Sequence, residues 1–165
     1  MLEALHLTLF TWEEVCLRVF LAMSFGFVLG WDRDSKNKPI DFRAYMIVCV
    51  ATCLIAMATQ ELYADFANSE NLLSLDLGKI MAGTLTGIGF LGAGAIIKRD
   101  DHQVIGTATG ASIWAAGSIG LVLGFGIYPL AIIGFLSIAS ILIIGGYYMS
   151  IFQGKEDRID IKNKH

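Results

Sequence analysis

Five long apolar runs, at roughly 12–31, 44–63, 79–98, 104–126 and 129–152, occupy most of this 165-residue chain, and its charges gather between them. A bilayer hydrocarbon core of about 30 Å is crossed by about 20 apolar helical residues, and each run is near that length. The charged fraction, 16%, is well below the roughly 25% of ordinary soluble domains. A net charge of -3 offers no basic face to nucleic acid, and three cysteines cannot pair off into a disulfide scaffold. The fold class expected is all-α: a polytopic membrane bundle of five transmembrane helices over 1–152, followed by a short polar tail at 153–165.

The ends of the runs carry interfacial residues. Trp12 and Trp31 bracket the first, Tyr45 and Tyr63 the second, Lys79 and Lys98 the third. Rings with a polar tip and long cationic stems favour the headgroup level. Ten of the 12 Lys and Arg residues fall in the first connector, in the third, and in the tail beyond 153. Basic connectors stay cytoplasmic, so the N-terminus is expected outside and the C-terminus inside. No cleavable signal peptide is expected, since the first apolar run is too long and lacks a basic lead.

Local signals mark several helix ends. Thr11-Trp12-Glu13-Glu14 has the form of a capping box, and Asp76 can cap the third helix. Pro129 suits a first helical turn. Gly124-Phe125-Gly126 implies a tight hairpin that makes the fourth and fifth helices antiparallel neighbours. Twelve of the 18 glycines lie between Gly78 and Gly126. In lipid, helices approach closely where small residues recur every fourth position. Gly83, Gly87, Gly89, Gly92 and Gly94 in the third run, with Gly106, Gly110, Gly120 and Gly124 in the fourth, are therefore the expected packing and assembly residues. On this ground the third and fourth helices are expected at the centre, with the first, second and fifth more exposed to lipid. The hydroxyls of Thr107, Thr109, Ser112 and Ser118 give the same region a second reading, as a polar path.

The ordered blocks of this sequence resemble the membrane domain of the MgtC/SapB family. Arg18 leads a first helix that ends in Gly30-Trp31-Asp32-Arg33-Asp34, similar to the family's Gly-Leu-Glu-Arg-Glu stretch, and Arg43 and Met46 follow. The strongest block is Ile88-Gly89-Phe90-Leu91-Gly92-Ala93-Gly94, after Asp76 and Lys79 at the family's acidic and basic positions. Val104-x-Gly106, Thr109 and Ala111-Ser112-Ile113-Trp114 complete it. Gly83 and Ala108 depart from the family, which often has polar side chains there. Longer members add a soluble cytoplasmic domain, so the chain is expected to represent the membrane part alone. The resemblance implies a bacterial inner-membrane protein linked to magnesium limitation, acid stress or survival in macrophages, with the F-type ATP synthase as a partner. An ATP-hydrolysing activity is not expected, because no G-x-x-x-x-G-K-[ST] loop is present, and no cofactor is expected.

The polar candidates for function are Arg18, Asp32, Arg33, Arg43, Asp76, Lys79, Thr109, Ser112 and Trp114. An intramembrane charge such as Arg18 is a functional candidate by default; its plainer role is snorkelling with Glu14 as an i, i+4 partner. Asp32 and Asp34 could offer oxygens to hydrated Mg²⁺, although Arg33, Lys36, Lys38 and Arg43 around them oppose a divalent ion and suit anionic lipid. Arg33 and Arg43 could instead form ion pairs closing the inner end of the first two helices. Cys49 and Cys53 read as small packing residues, and His102 as part of a solvated turn. Trp114, a large ring amid Gly and Ala, suggests a plug, a ligand wall or a knob between helices. Two functions follow: a regulator working through helix contacts, as a homodimer, or a transporter of Mg²⁺ or H⁺ along the third and fourth helices.

Overall fold

The computed structural model describes residues 7–36, 40–67, 76–98 and 104–163, with side chains omitted over 65–67 and 149–163. Its elements are α1 (Trp12–Asp34), α2 (Phe42–Ala67), α3 (Leu77–Gly94), the strands β1 (Ile97–Lys98) and β2 (Val104–Ile105), α4 (Thr107–Gly124) and α5 (Tyr128–Asn163). This is an all-α membrane bundle. Four of the helices, α1, α2, α4 and α5, are long and apolar enough to cross a bilayer. In α3, 18 residues long, glycines, threonines and Lys79 dilute the apolar content below that mark.

The caps follow the local chemistry. Thr11 Oγ1 accepts the Glu14 amide at 3.3 Å, but the Glu14 carboxylate turns to Arg18 instead of closing the box. Asp76 caps α3, accepting the Lys79 amide at 3.1 Å. The α4–α5 turn is a Schellman motif: Ile127 N–H donates to the Val122 carbonyl at 3.1 Å and Gly126 N–H to that of Leu123 at 2.9 Å. Gly126 holds φ 77° there, a left-handed conformation that glycine takes without a Cβ clash. Pro129 then lies in the first turn of α5.

Three expected boundaries shift. The third run leaves the helix at Gly94, and its last residues form β1, which pairs antiparallel with β2 through Ile97–Ile105 and Lys98–Val104. Gly106, at φ 90°, turns the chain from β2 into α4, so that helix begins at Thr107 and not at 104. The backbone of α5 runs on as one helix to Asn163, through most of the segment expected as a separate tail. Lys38, Arg99 and His102 lie outside the described residues.

The expected layering needs correction. The heart of the bundle is α4 packed on α2 and α1, and α3 lies against α4 alone to any extent. Two-thirds of the apolar window of α4 is buried, and only 6% of that of α5. The sequence expectation put α2 among the lipid-exposed helices, yet Tyr45, Cys49, Thr52, Cys53, Ala56 and Thr59 form a buried stripe along it. The α1 stripe is Arg18, Ala22, Gly26, Leu29, Gly30 and Arg33. Both stripes repeat at the three- and four-residue spacing of one helix face. α5 closes on α1 through the stacked rings of Phe25 and Phe135, 4.2 Å apart.

Candidate functional site

Backbone contact builds the α1–α2–α4 core. A Cβ on Gly26 would stand 2.8 Å from the Met46 Cα, and one on Gly30 2.6 Å from the Phe42 Cα. Gly120 and Gly124 bring α4 against the Cys49 and Cys53 carbonyls of α2, and Gly117 makes room for the Ile88 side chain. Gly92 and Gly110 oppose one another, with a Cβ on either coming within 2.9 Å or less of the other's carbonyl oxygen. Gly106 approaches the Ala95 carbonyl. These are assembly positions within the chain. At Gly83, Gly87, Gly89 and Gly94, by contrast, nothing lies within 4 Å of the place a Cβ would take. Gly83, Gly87 and Gly94 share one side of α3 and leave an open small-residue face there, continued by Phe90, which is 81% exposed.

Arg18 sits at one end of α4. Its guanidinium, on a residue only 6% exposed, pairs with Glu14 and donates to the Gly124 carbonyl. Nε donates to the Tyr128 hydroxyl at 3.2 Å, and the Phe10 ring lies 4.6 Å from Cζ. Gln60 Nε2 reaches the same Gly124 carbonyl at 2.7 Å. The last carbonyls of a helix concentrate partial negative charge, so a cation there is well placed. Arg18 therefore locks α1 to the α4–α5 turn; it does not snorkel into solvent. Sequence reading found Arg18 and Glu14 but missed Gln60 and Tyr128, whose only signal is a polar group one turn from a span end.

A second polar group occupies the opposite end. Tyr45, expected at the headgroup level, is fully buried with its hydroxyl 3.2 Å from Ser112 Oγ. Tyr63, Trp12 and Trp31 are more than half exposed, as belt residues should be. Thr109 is wholly buried with its hydroxyl unpartnered, and Arg33 is buried with its Nε unpartnered. The ion pairs here are local. Arg33 Nη1 lies 3.9 Å from Asp32 Oδ2, while Arg43, three-quarters exposed, pairs with Asp41. Neither arginine ties α1 to α2, because each finds an acid within two residues. The tie between helices is made by Lys36, whose Nζ donates to Asp32 Oδ1 at 2.5 Å and to the Leu142 carbonyl of α5 at 3.3 Å.

The remaining candidates are dispersed. Asp76 and Lys79 are exposed and 3.7 Å apart. Asp34 is exposed and Asp32 is occupied by Lys36. Among the described residues no three His, Cys, Asp or Glu side chains are grouped to hold a metal ion. Trp114 is 46% exposed on the outside of α4, so it neither plugs nor lines the interior of the chain. Arg18 lies at the level of Gly124, ten residues along α4 from Trp114, and the two are not brought together.

A bundle of apolar helices held by glycine contacts and the buried Arg18 defines a polytopic α-helical membrane protein. The MgtC family pattern matches residues 19–149, and the chain belongs to that family. Over 152 residues it is 30% identical to YhiD of Escherichia coli strain K12, whose name assigns it provisionally to magnesium transport; the match covers 92% of this chain and 66% of that one. It is similar to Protein SapB of Bacillus subtilis, at 30% identity over 79% of this chain and 54% of the relative. To Protein MgtC of Salmonella typhimurium the identity is 28%, over 67% and 43%. The chain thus spans about half to two-thirds of the length of such relatives. No solved structure matches it.

Proposed function

We propose that this protein is a non-enzymatic regulator of the bacterial inner membrane that acts by docking other transmembrane helices on the open face of α3. The observation that carries the reading is the free space at Gly83, Gly87 and Gly94. Small residues every fourth position let a second helix approach to backbone distance, which is how helices associate in lipid. A second copy of the chain is the first partner; the F-type ATP synthase, implied by the family resemblance, is the other. The setting of magnesium limitation or acid stress is what the family resemblance implies, and the name of the YhiD relative adds a link to magnesium transport. The end bearing Arg33, Lys36 and Arg43 faces the cytoplasm in this reading.

Mass measurement in nanodiscs tests it. Wild type is expected as a dimer, and Gly83→Leu with Gly87→Leu as a monomer with the same helix content. A monomeric wild type that also captures no ATP synthase subunit on crosslinking counts against the proposal.

The alternative is a transporter of Mg²⁺ or H⁺ along α3 and α4, favoured by the name of the YhiD relative. Against it, the hydroxyls of Thr84, Thr86, Ser112 and Ser118 donate to carbonyls four residues back on their own helices. A cavity of about 470 Å³ between the N-terminal segment and α2 is lined by apolar side chains and by Glu61. The Glu61 carboxylate is taken up by Thr8 and Leu9. Proteoliposome flux of Mg²⁺ or H⁺ that is abolished by bulky substitution at Gly87 or Gly110 would decide for the transporter.

A further inference from the structure

α1 carries two buried arginines on one stripe, and α4 treats them oppositely. Arg18 meets the C-terminal pole of α4, where carbonyls receive it. Arg33 follows fifteen residues later, about 22 Å along the helix at about 1.5 Å per residue. α1 and α4 run antiparallel, so the same distance back from Gly124 leads to Thr109, in the first turn of α4. At that end the Tyr45 hydroxyl of α2 meets Ser112 Oγ of α4 at 3.2 Å. Here the helix presents its positive pole, with free N–H groups over 107–109. The N-cap, Gly106, supplies no side chain to cover them.

Three observations point to a missing acceptor. Arg33 Nε is buried without a partner, and the closest carboxylate oxygen, at 3.9 Å, is beyond hydrogen-bond distance. Thr109 Oγ1 is buried and unpartnered one helical turn from Ser112. Asp32, the local acid, is neutralised by Lys36, so Asp32, Arg33 and Lys36 together keep one net positive charge. Asp32 gives Arg33 a local ion pair, but its Oδ2 is itself buried without a hydrogen-bond partner, so no close acceptor meets the guanidinium Nε, and a buried donor left unmet is costly. A tetrahedral oxyanion would resolve all three, accepting from the guanidinium fork, the Thr109 hydroxyl and the first-turn amides. Trp31, two residues before Arg33 and exposed, places this level near the headgroup phosphates.

We propose that the N-terminal end of α4 is a seat for a phosphate-class oxyanion held by Arg33, Thr109 and the first-turn amides. A phospholipid headgroup and free inorganic phosphate share that chemistry, and the test separates them. The chain is delipidated in a maltoside detergent, and its thermal midpoint is followed by Trp fluorescence. One arm titrates inorganic phosphate against chloride at matched ionic strength. The other adds phosphatidylglycerol against a diacylglycerol with the same chains. A rise of about 3–5 °C at saturation is expected in one arm, and the responding arm identifies the source. Arg33→Gln is expected to lose the rise, and Arg33→Lys, a point charge without the fork, to keep part of it. Should Arg33→Gln not fold, Thr109→Val, close to threonine in shape, carries the test through an apparent affinity about five- to ten-fold weaker. No phosphate-dependent rise in either arm, or a rise unchanged in Arg33→Gln or, failing that, in Thr109→Val, overturns the proposal.

Discussion

α3 and α4 are both 18 residues long, both rich in glycine at four-residue spacing, and joined by one short ribbon. Yet α4 is enclosed by its neighbours while α3 turns Gly83, Gly87 and Gly94 to open space. The difference lies in the surface opposite. Gly120 and Gly124 meet Cys49 and Cys53, themselves small and four apart on α2, so two smooth faces bring backbone to backbone. α3 finds such a match only at Gly92, against Gly110. A small-residue face is half of an interface, and the other half decides where it packs.

The largest effect should come from filling the matched face. Gly120→Leu would drive a side chain into the Cys49 carbonyl and Thr52 hydroxyl, and backbone atoms cannot step aside as a flexible side chain can. Overpacking of this kind costs about 1–3 kcal/mol, sometimes more, and the upper end or loss of folded protein is expected here. Thermal unfolding in detergent, with the yield of monodisperse protein, measures it. A Gly120→Leu chain as stable as wild type would break the contrast between α4 and α3.

Next comes the lock at the far end of α4. Arg18→Gln keeps a donor but gives up the Glu14 ion pair and part of the grip on Gly124 and Tyr128. The loss expected is about 1–3 kcal/mol, read as a lowered unfolding midpoint with unchanged helix content. If the midpoint stays put, Arg18 is a passenger, and Gln60 alone holds the α4 terminus.

Much of this architecture was legible because its determinants are local. The caps at Thr11 and Asp76 and the turn at Gly126 and Pro129 each follow from residues a turn or less apart. The arrangement of the helices was less legible. Gly26 and Gly30 on α1 have the same spacing as the α3 pairs, but they are two glycines against the twelve between Gly78 and Gly126. Cys49, Cys53 and Ala56 formed a second small ridge, and reading it with Gly120 and Gly124 would have moved α2 into the core. Tyr45 is ambiguous by type, since the same ring suits a headgroup belt or a buried hydroxyl partner. Only the position of Ser112 across the bundle decides that.

A milder substitution sharpens the contrast on the α3 side. Gly87→Ala meets no atom within 4 Å, and alanine gains about 0.8–1.0 kcal/mol over glycine in an isolated helix interior. The monomer is therefore expected to be unchanged or slightly stabilised, by less than about 1 kcal/mol. A destabilised monomer would mean that this face is already filled from within the chain.

The smallest effect belongs to the exposed end of α2, where the ion pair is a surface counterpart of the buried one at Arg18. Asp41 accepts the Arg43 Nε at 2.5 Å and its amide at 2.9 Å, and the Arg43 side chain first, then its amide, holds the Asp41 carboxyl below its ordinary value of 3.8. A carboxyl lowered in the folded state adds stability that is complete above the unfolded value and lost as pH falls through the folded one. The contribution should thus be constant from pH 7 to about 5 and fade below about 4. The exposure of the pair to solvent keeps it small. Unfolding midpoints of wild type and Asp41→Asn, compared at intervals down to pH 3, should converge at the acid end. A gap that persists there would assign the role of Asp41 to the shape of its cap on α2 and none of it to charge.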